Sequence, residues 1–222
     1  MTRRQKVVKV SKVNETILWL AGVLLLAFGA FGLWQRYYLT HKPAKPLSDE
    51  AVTYSTDTPE ESNATEACRG YNAAKDQPRQ IELQKINITG CIQKIGTDQN
   101  NAVAVPTNVN FAGWFVDSPI PGQEGVSLID GHVIGRYSKA IFTRLNELNA
   151  GDIVRIQYGD HSWKSFEIVQ KESYTNDKAA SEMFYKLPDV GKQLTLITCT
   201  GKWLQNDKTY DHRLIVRTKL VD

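Results

Sequence analysis

Ile17 to Trp34 is a run of eighteen residues without a single charged side chain, rich in Leu, Ala, Gly and Phe. At about 1.5 Å of rise per residue it makes a helix of about 27 Å, close to the hydrocarbon thickness of a bilayer. Trp19, Trp34, Tyr37 and Tyr38 stand where an aromatic belt forms. A cleavable signal peptide is the competing reading, since Ala27, Gly29 and Ala30 offer a small-residue cleavage site, but the apolar run is longer than a usual signal core. The expectation is one uncleaved transmembrane anchor over residues 16–38, touching the membrane through residues 17–34. Whatever else the chain does must then be done by residues outside this stretch.

Charge sets the direction of insertion. Arg3, Arg4, Lys6, Lys9 and Lys12 precede the apolar run, whereas Arg36, Lys42 and Lys45 follow it. The excess before the span favours a cytoplasmic basic tail over residues 1–15, a single pass through the cell membrane and an extracellular remainder. The net charge of the 222 residues is only +3, and Ser48 to Glu66 holds six acids and no Lys or Arg. With the basic cluster assigned to the membrane, no nucleic-acid partner is expected.

Residues 39–78 contain Pro43, Pro46, Pro59, many Ser and Thr and no sustained apolar period, and so read as an extended, partly disordered tether. A chain beginning near Glu66 is then expected to be soluble and active. From Ile81 the texture changes to short strands. Ile81, Leu83, Ile86, Ile88, Ile92 and Ile95 mark two β-segments ending at Gly96; Ala102–Val105, Phe111–Val116, Val126–His132, Ile153–Tyr158, Ser162–Gln170, Leu194–Cys199 and Leu214–Leu220 follow. One helix is expected, over roughly Tyr137 to Leu148, where Ile141, Phe142, Leu145 and Leu148 recur at three and four. A long loop covers Ser173 to Gly191. About eight short strands with one or two helices define a mainly β class, an antiparallel barrel or sandwich, as a domain over residues 79–222.

Three cysteines leave one odd thiol. If Cys199 stays free, Cys68 and Cys91 form either a disulfide or two unrelated small apolar residues. No Cys-x-x-Cys or Cys/His cluster has zinc spacing and no glycine-rich phosphate loop occurs, so neither metal nor cofactor is expected.

The chemistry concentrates at three strand ends. Leu194-Thr-Leu-Ile-Thr-Cys199 alternates at a period of two and delivers one thiol to a rim; Arg213 opens the run Arg213-Leu-Ile-Val; His132 closes Ser127-Leu-Ile-Asp-Gly-His132. A thiol forms a thioester with a peptide carbonyl, an imidazole carries protons in both directions near neutral pH, and a guanidinium holds an oxyanion. Arg217 shares the strand parity of Arg213 and is its rival. Thr198 and Asp130 adjoin the thiol and the histidine and are supporting candidates, although alternation turns Thr198 away from the Cys199 side chain.

These residues resemble the sortases, membrane-anchored cysteine transpeptidases, over about Gln80 to Val221. Lys85-Ile-Asn-Ile88 is similar to the family's opening strand and Ala104-Val-Pro106 to the next. Gly113-Trp-Phe115 and Pro121-Gly-Gln-Glu-Gly125 resemble the approach to Gly131-His132, and Phe142-Thr-Arg-Leu145 with Leu148 and Gly151-Asp152 the helix and its exit. Leu194–Cys199 resembles the nucleophile strand, and Tyr210 with Arg213-Leu-Ile-Val216 the arginine strand. The spread of motifs looks most like class F and related actinobacterial-type enzymes. The resemblance implies a sortase-like closed β-barrel with Cys199, His132 and Arg213 catalytic. It implies cleavage of a Leu-Pro-x-Thr-Gly-like C-terminal sorting signal of exported proteins between Thr and Gly, and transfer of the acyl group to an amine of a cell-wall precursor or a pilin lysine. Walls for Leu and Pro are expected from Val103, Val105, Ile134 and the Ser173–Gly191 loop.

With no Asp-Pro-aromatic lid motif before the domain and no second apolar stretch after Val221, general wall anchoring is expected over pilus polymerisation. A peptidoglycan L,D-transpeptidase lacks support, because its Ser-x-Gly-Cys segment is missing here. A non-catalytic, membrane-tethered wall-binding β-domain remains the reading from another class.

Overall fold

The structure is a computed structural model that describes residues 15–56 and 58–222. The basic tail expected over residues 1–15 lies, but for Glu15, outside the described residues. The chain divides between Tyr38 and Leu39 into two units.

The first unit consists, among the described residues, of most of helix α1 (Glu15–His41). Its 27 residues span about 40 Å at the α-helical rise. Large apolar side chains project from it all round, with Leu26 77% and Phe28 73% exposed. A helix that is apolar on every face suits lipid rather than water, and Ile17–His41 is long and apolar enough to cross a membrane.

In the second unit eight strands close into a barrel: β1 (Pro78–Leu83), β2 (Ile88–Ile95), β3 (Ala112–Phe115), β4 (Gly125–Gly131), β5 (Ile153–Tyr158), β6 (Trp163–Thr175), β7 (Lys192–Leu204) and β8 (Thr209–Leu220). They are arranged in the order β1-β2-β3-β4-β7-β8-β6-β5. The β2–β3 and β4–β7 pairs are parallel and the others antiparallel. Closure leaves no free sheet edge. Ile81, Leu83, Ile92, Ile129, Val154, Ile156, Phe166, Leu196 and Val216 fill the interior.

A second cluster, with Ile95, Leu128, Ile197 and Ile215, lies on the outer face under helix α3 (Asn176–Glu182), which contributes Ala179. Leu128 alternates with Ile129, Ile197 with Leu196 and Ile215 with Val216, so β4, β7 and β8 are buried on both faces. That double burial explains why these strands read as near-continuous apolar runs.

Three expectations need correction. The expected helix over Tyr137–Leu148 is a chain of turns with one 3-10 turn at Leu145–Glu147. Its apolar residues are buried as the spacing implies, but the amides bond three residues back (Leu145 N to Phe142 O, 3.1 Å; Leu148 N to Leu145 O, 3.2 Å) or leave the segment altogether (Phe142 N to His132 O, 3.0 Å). The Thr143 hydroxyl accepts from Ala140 N at 2.8 Å and donates to Val133 O at 2.5 Å, an alternative to helical pairing that Thr offers readily. Ala102–Val105 forms only an isolated bridge, Val103 to Thr97, because Pro106 removes the next donor. The Ser173–Gly191 loop is shorter than expected: β6 runs on to Thr175 and passes into α3.

Residues 39–78 also differ from a free tether. Ala44 and Ala67 are buried against Cys91 and Phe111, with Leu47 and Ala64 packed beside them. The short helix α2 (Thr65–Gly70) carries Cys68, which is disulfide-bonded to Cys91 of β2 with a Cα–Cα distance of 5.2 Å. Parallel bridges pair Val52 with Ile95 and Glu60 with Asn108. The acidic, proline-bearing composition concealed this packing because the segment borrows its apolar partners from the barrel.

Candidate active site

Strand register brings two of the three site residues together. In the β7–β8 hairpin Cys199 is the direct partner of Arg213. The parallel β4–β7 ladder pairs Asp130 with Ile197, and His132 leaves β4 two residues later, level with Cys199 on the same face. Since Ile197 and Ile215 lie in the outer cluster, Asp130, His132, Cys199 and Arg213 project from the outer face of β4, β7 and β8. All four are partly buried.

Thr198 points the other way and is 2% exposed; its hydroxyl donates to Gly131 O at 2.7 Å. This bond fixes β7 against the end of β4, one residue before His132. Gly131 must be small, since a methyl group there would meet Phe142 Cδ2 at 2.5 Å.

His132 Nε2 lies 2.7 Å from Pro106 O. A carbonyl only accepts, so Nε2 carries the proton and, in the neutral ring, Nδ1 is the free nitrogen. Arg213 is held by its own hairpin and by α3. Nη1 donates to Asn176 Oδ1 (2.9 Å), Tyr210 O (3.0 Å) and His212 O (3.1 Å), and Nη2 to Thr209 Oγ1 (3.0 Å). Nε–H and the second Nη2–H take no acceptor among the described residues, which leaves two donors of the planar fork for an incoming oxyanion.

Burial pushes the Cys199 thiol up, the Arg213 charge draws it partly back, and Asp130 adds to the rise. Burial likewise raises the Asp130 carboxyl against the opposing charges of His132 and Arg213 and the Gly131 amide. The resting site therefore favours a protonated thiol, and an incoming substrate or a proton shift must supply the thiolate.

Arg217, the rival from sequence, is 1% exposed and serves packing. Nη2 donates to Glu182 O at 2.8 Å and pairs with Glu182 Oε2 at 2.7 Å, Nη1 donates to Gln170 Oε1 at 2.9 Å, and the guanidinium lies 5.5 Å from the ring centres of Tyr174 and Tyr185. It belongs to the seam between β8, β6 and α3. Asn176, which orients Arg213, carries no signal in the sequence, because the pairing of Tyr174 with Arg213 that brings it there exists only in the β6–β8 ladder. Of the expected channel walls, Ile134 is 53% exposed just past His132, while Val103 packs against the outer cluster, as does Met183 of the expected Ser173–Gly191 wall.

The expectation of three strand ends holds for His132 alone, just past β4; Cys199 and Arg213 lie within β7 and β8, because the hairpin runs on to Leu204 and back from Thr209. A closed eight-stranded barrel that presents thiol, imidazole and guanidinium on adjoining strands is of the cysteine acyl-transfer kind. A family model described as the Sortase domain matches residues 81–221, and the chain belongs to the sortases, a family of transpeptidases. Among solved structures, the pilus-related sortase C of Group B Streptococcus is similar at 23% identity and a TM-score of 0.50, over 68% of this chain and 70% of that one. The lid mutant of sortase A from Corynebacterium diphtheriae is similar at 21% identity and a TM-score of 0.51, over 71% and 76%. Relatives named as class A and class C thus share the fold at like identity, and the class F-like reading gains no separate support. A search of curated proteins finds no match.

Proposed function

We propose that this protein is a membrane-anchored cysteine transpeptidase in which Cys199, His132 and Arg213 cut a Leu-Pro-x-Thr-Gly-like sorting signal between Thr and Gly and pass the acyl group to an amine of the cell wall. The observation that carries the reading is the direct cross-strand pairing of Cys199 with Arg213 inside a sortase domain. The thiol proton passes to His132 Nδ1; Cys199 Sγ, now thiolate, adds to the Thr carbonyl carbon, and the free Arg213 donors bind the oxyanion. His132 gives a proton to the departing Gly amine as the C–N bond breaks, leaving a thioester. The acceptor amine then adds to the thioester, gives its proton to the imidazole, and expels the thiolate. Nδ1 carries these protons, because Pro106 O holds Nε2–H.

Helix α1 inserts in the cell membrane with its basic flank cytoplasmic, and the barrel works outside. A pilin lysine is the second acceptor to consider, since one of the similar structures is pilus-related.

The test is incubation of the full chain in detergent with a sorting-peptide panel and with a glycine-type amine, a stem-peptide amine or a pilin domain, products being identified by mass spectrometry. Ligation to a wall-type amine, abolished in Cys199→Ala, is expected. Ligation to the pilin lysine alone would replace the acceptor, and turnover retained by Cys199→Ala would remove the nucleophile.

A further inference from the structure

We propose that Glu61, on the segment before the barrel, is a positioning residue for His132, so that this segment is part of the working enzyme. His132 sits between two loops. One, Pro106–Val109, supplies the carbonyl that holds Nε2; the other, Val133–Ser138, leads away from its own backbone.

Residues 60–62 bind both. The Glu61 carboxylate accepts from Arg136 N (2.7 Å), Tyr137 N (2.8 Å) and Ser138 Oγ (2.7 Å). The loop wraps it so closely that a methyl group on Gly135 would meet Glu61 Cδ at 2.7 Å. On either side, Glu60 N donates to Thr107 O (2.8 Å) and Val109 N to Glu60 O (2.9 Å), while Asn108 Nδ2, on a residue 1% exposed, donates to Ser62 O (3.1 Å) and to Ser62 Oγ (3.0 Å).

Two consecutive amides and a hydroxyl converging on one carboxylate form a charge-assisted anchor, stronger and more directional than neutral bonds. Without it the Val133–Ser138 loop keeps, among the described residues, the bond from Thr143 Oγ1 to Val133 O, the antiparallel bridge of Ile134 to Lys139 and its own bond from Gly135 N to Ser138 O (2.9 Å). A proton carrier must stay within a fraction of an ångström of its path, and small misplacements cost rate rather than binding. The carboxylate thus acts on the reaction through His132 and touches no substrate.

This inference rests on the transpeptidase reading only for its kinetic half, and the test separates the two. Full-length Glu61→Gln keeps the side chain's size but turns an amide NH2 toward donors; full-length Ser138→Ala removes one donor and keeps the carboxylate. Glu61→Gln is expected to lower kcat about tenfold with KM for the sorting peptide unchanged, and Ser138→Ala to do the same more weakly. Independently of turnover, modification of His132 by diethylpyrocarbonate should quicken several-fold relative to His161 as internal reference, and amides of residues 133–138 should exchange faster while those of β7 do not. Wild-type kcat together with an unchanged His132 modification rate would overturn the proposal. So would a general rise in exchange across the barrel, which would make Glu61 a stability residue only. A wild-type enzyme that turns over no peptide, with the His132 response intact, would leave the positioning role standing and remove the transpeptidase reading.

Discussion

Arg213 and Arg217, one helical-turn's count apart in sequence but on one face of β8, hold opposite ends of α3: Arg213 donates to Asn176 at its first residue and Arg217 to Glu182 at its last. The two arginines look alike in sequence and differ in what is left over. Arg213 keeps two donors without acceptors among the described residues and its charge acts on Cys199, whereas Arg217 is enclosed by Glu182, Gln170 and two tyrosine rings.

Their substitutions should separate accordingly. Arg213→Ala is expected to lower kcat by about 10²–10³-fold, the usual loss of an oxyanion donor, at a stability cost of about 1 kcal/mol for its hydrogen bonds. Arg217→Ala leaves Glu182 without its cation and should cost roughly 3 kcal/mol, with kcat nearly kept in the fraction that folds. Thermal unfolding and steady-state kinetics on both variants decide; equal loss of rate at equal stability would contradict the division.

The thiol should respond to its two charged neighbours with opposite signs. Iodoacetamide labelling of Cys199 reports thiolate, and because burial raises the thiol the rate should still be climbing above about pH 8.5. Removing the cation in Arg213→Ala moves the midpoint up, and removing the anion in Asp130→Asn moves it down. Asp130 adds a stability signature. Its folded-state carboxyl is raised, so the folded chain holds that proton more tightly than the unfolded one. That contribution is full below the unfolded value near pH 3.9 and fades as pH rises through the folded one. Asp130→Asn should therefore raise Tm at neutral pH, the gain vanishing below about pH 4. Labelling midpoints unmoved in both variants would show that Cys199 feels neither charge.

Truncation tests the segment before the barrel. The sequence implied that a chain beginning near Glu66 keeps fold and activity. The structure places Ala44, Leu47 and Ala64 in a cluster with Phe111 and the Cys68–Cys91 bridge, and Ser62 against Asn108. A chain starting at Leu39 is expected to unfold like the full one. A start at Glu66 should lose roughly 2–3 kcal/mol of apolar and hydrogen-bond stabilisation, about 5–10 °C in Tm. Reducing the disulfide, which closes a separation of 23 residues, should cost about 3 kcal/mol on the chain-entropy account. Indistinguishable melting of the two truncations would return residues 39–65 to the role of a tether.

How much was legible follows from the range of the interactions involved. Strand existence depends on alternation within a few residues, so β5 was found to the residue, and β7 and β8, buried on both faces, were found by their apolar runs. The order of Gly131-His132, the Cys199 strand and the Arg213 strand carried the family, because each motif is local and its chemistry is written in its residue types. The helix over Tyr137–Leu148 failed because turns and α-helix share the three-and-four spacing; the Phe142 amide was claimed by His132 O, a partner ten residues away that no window reveals.

The amino-acid sequence by itself determined the apolar span, most of the strand pattern and which strands carry the thiol, the imidazole and the guanidinium, but not that β7 and β8 run on past Cys199 and Arg213. Tertiary structure alone decided that Cys199 faces Arg213 across the hairpin, that Arg217 is locked away under α3, that Cys68 meets Cys91, and that Glu61 reaches the loop beyond His132. Local periodicity sets which face a side chain occupies; only closure of the barrel sets which distant side chain occupies the space opposite, since those pairings join residues from 14 to more than 70 positions apart.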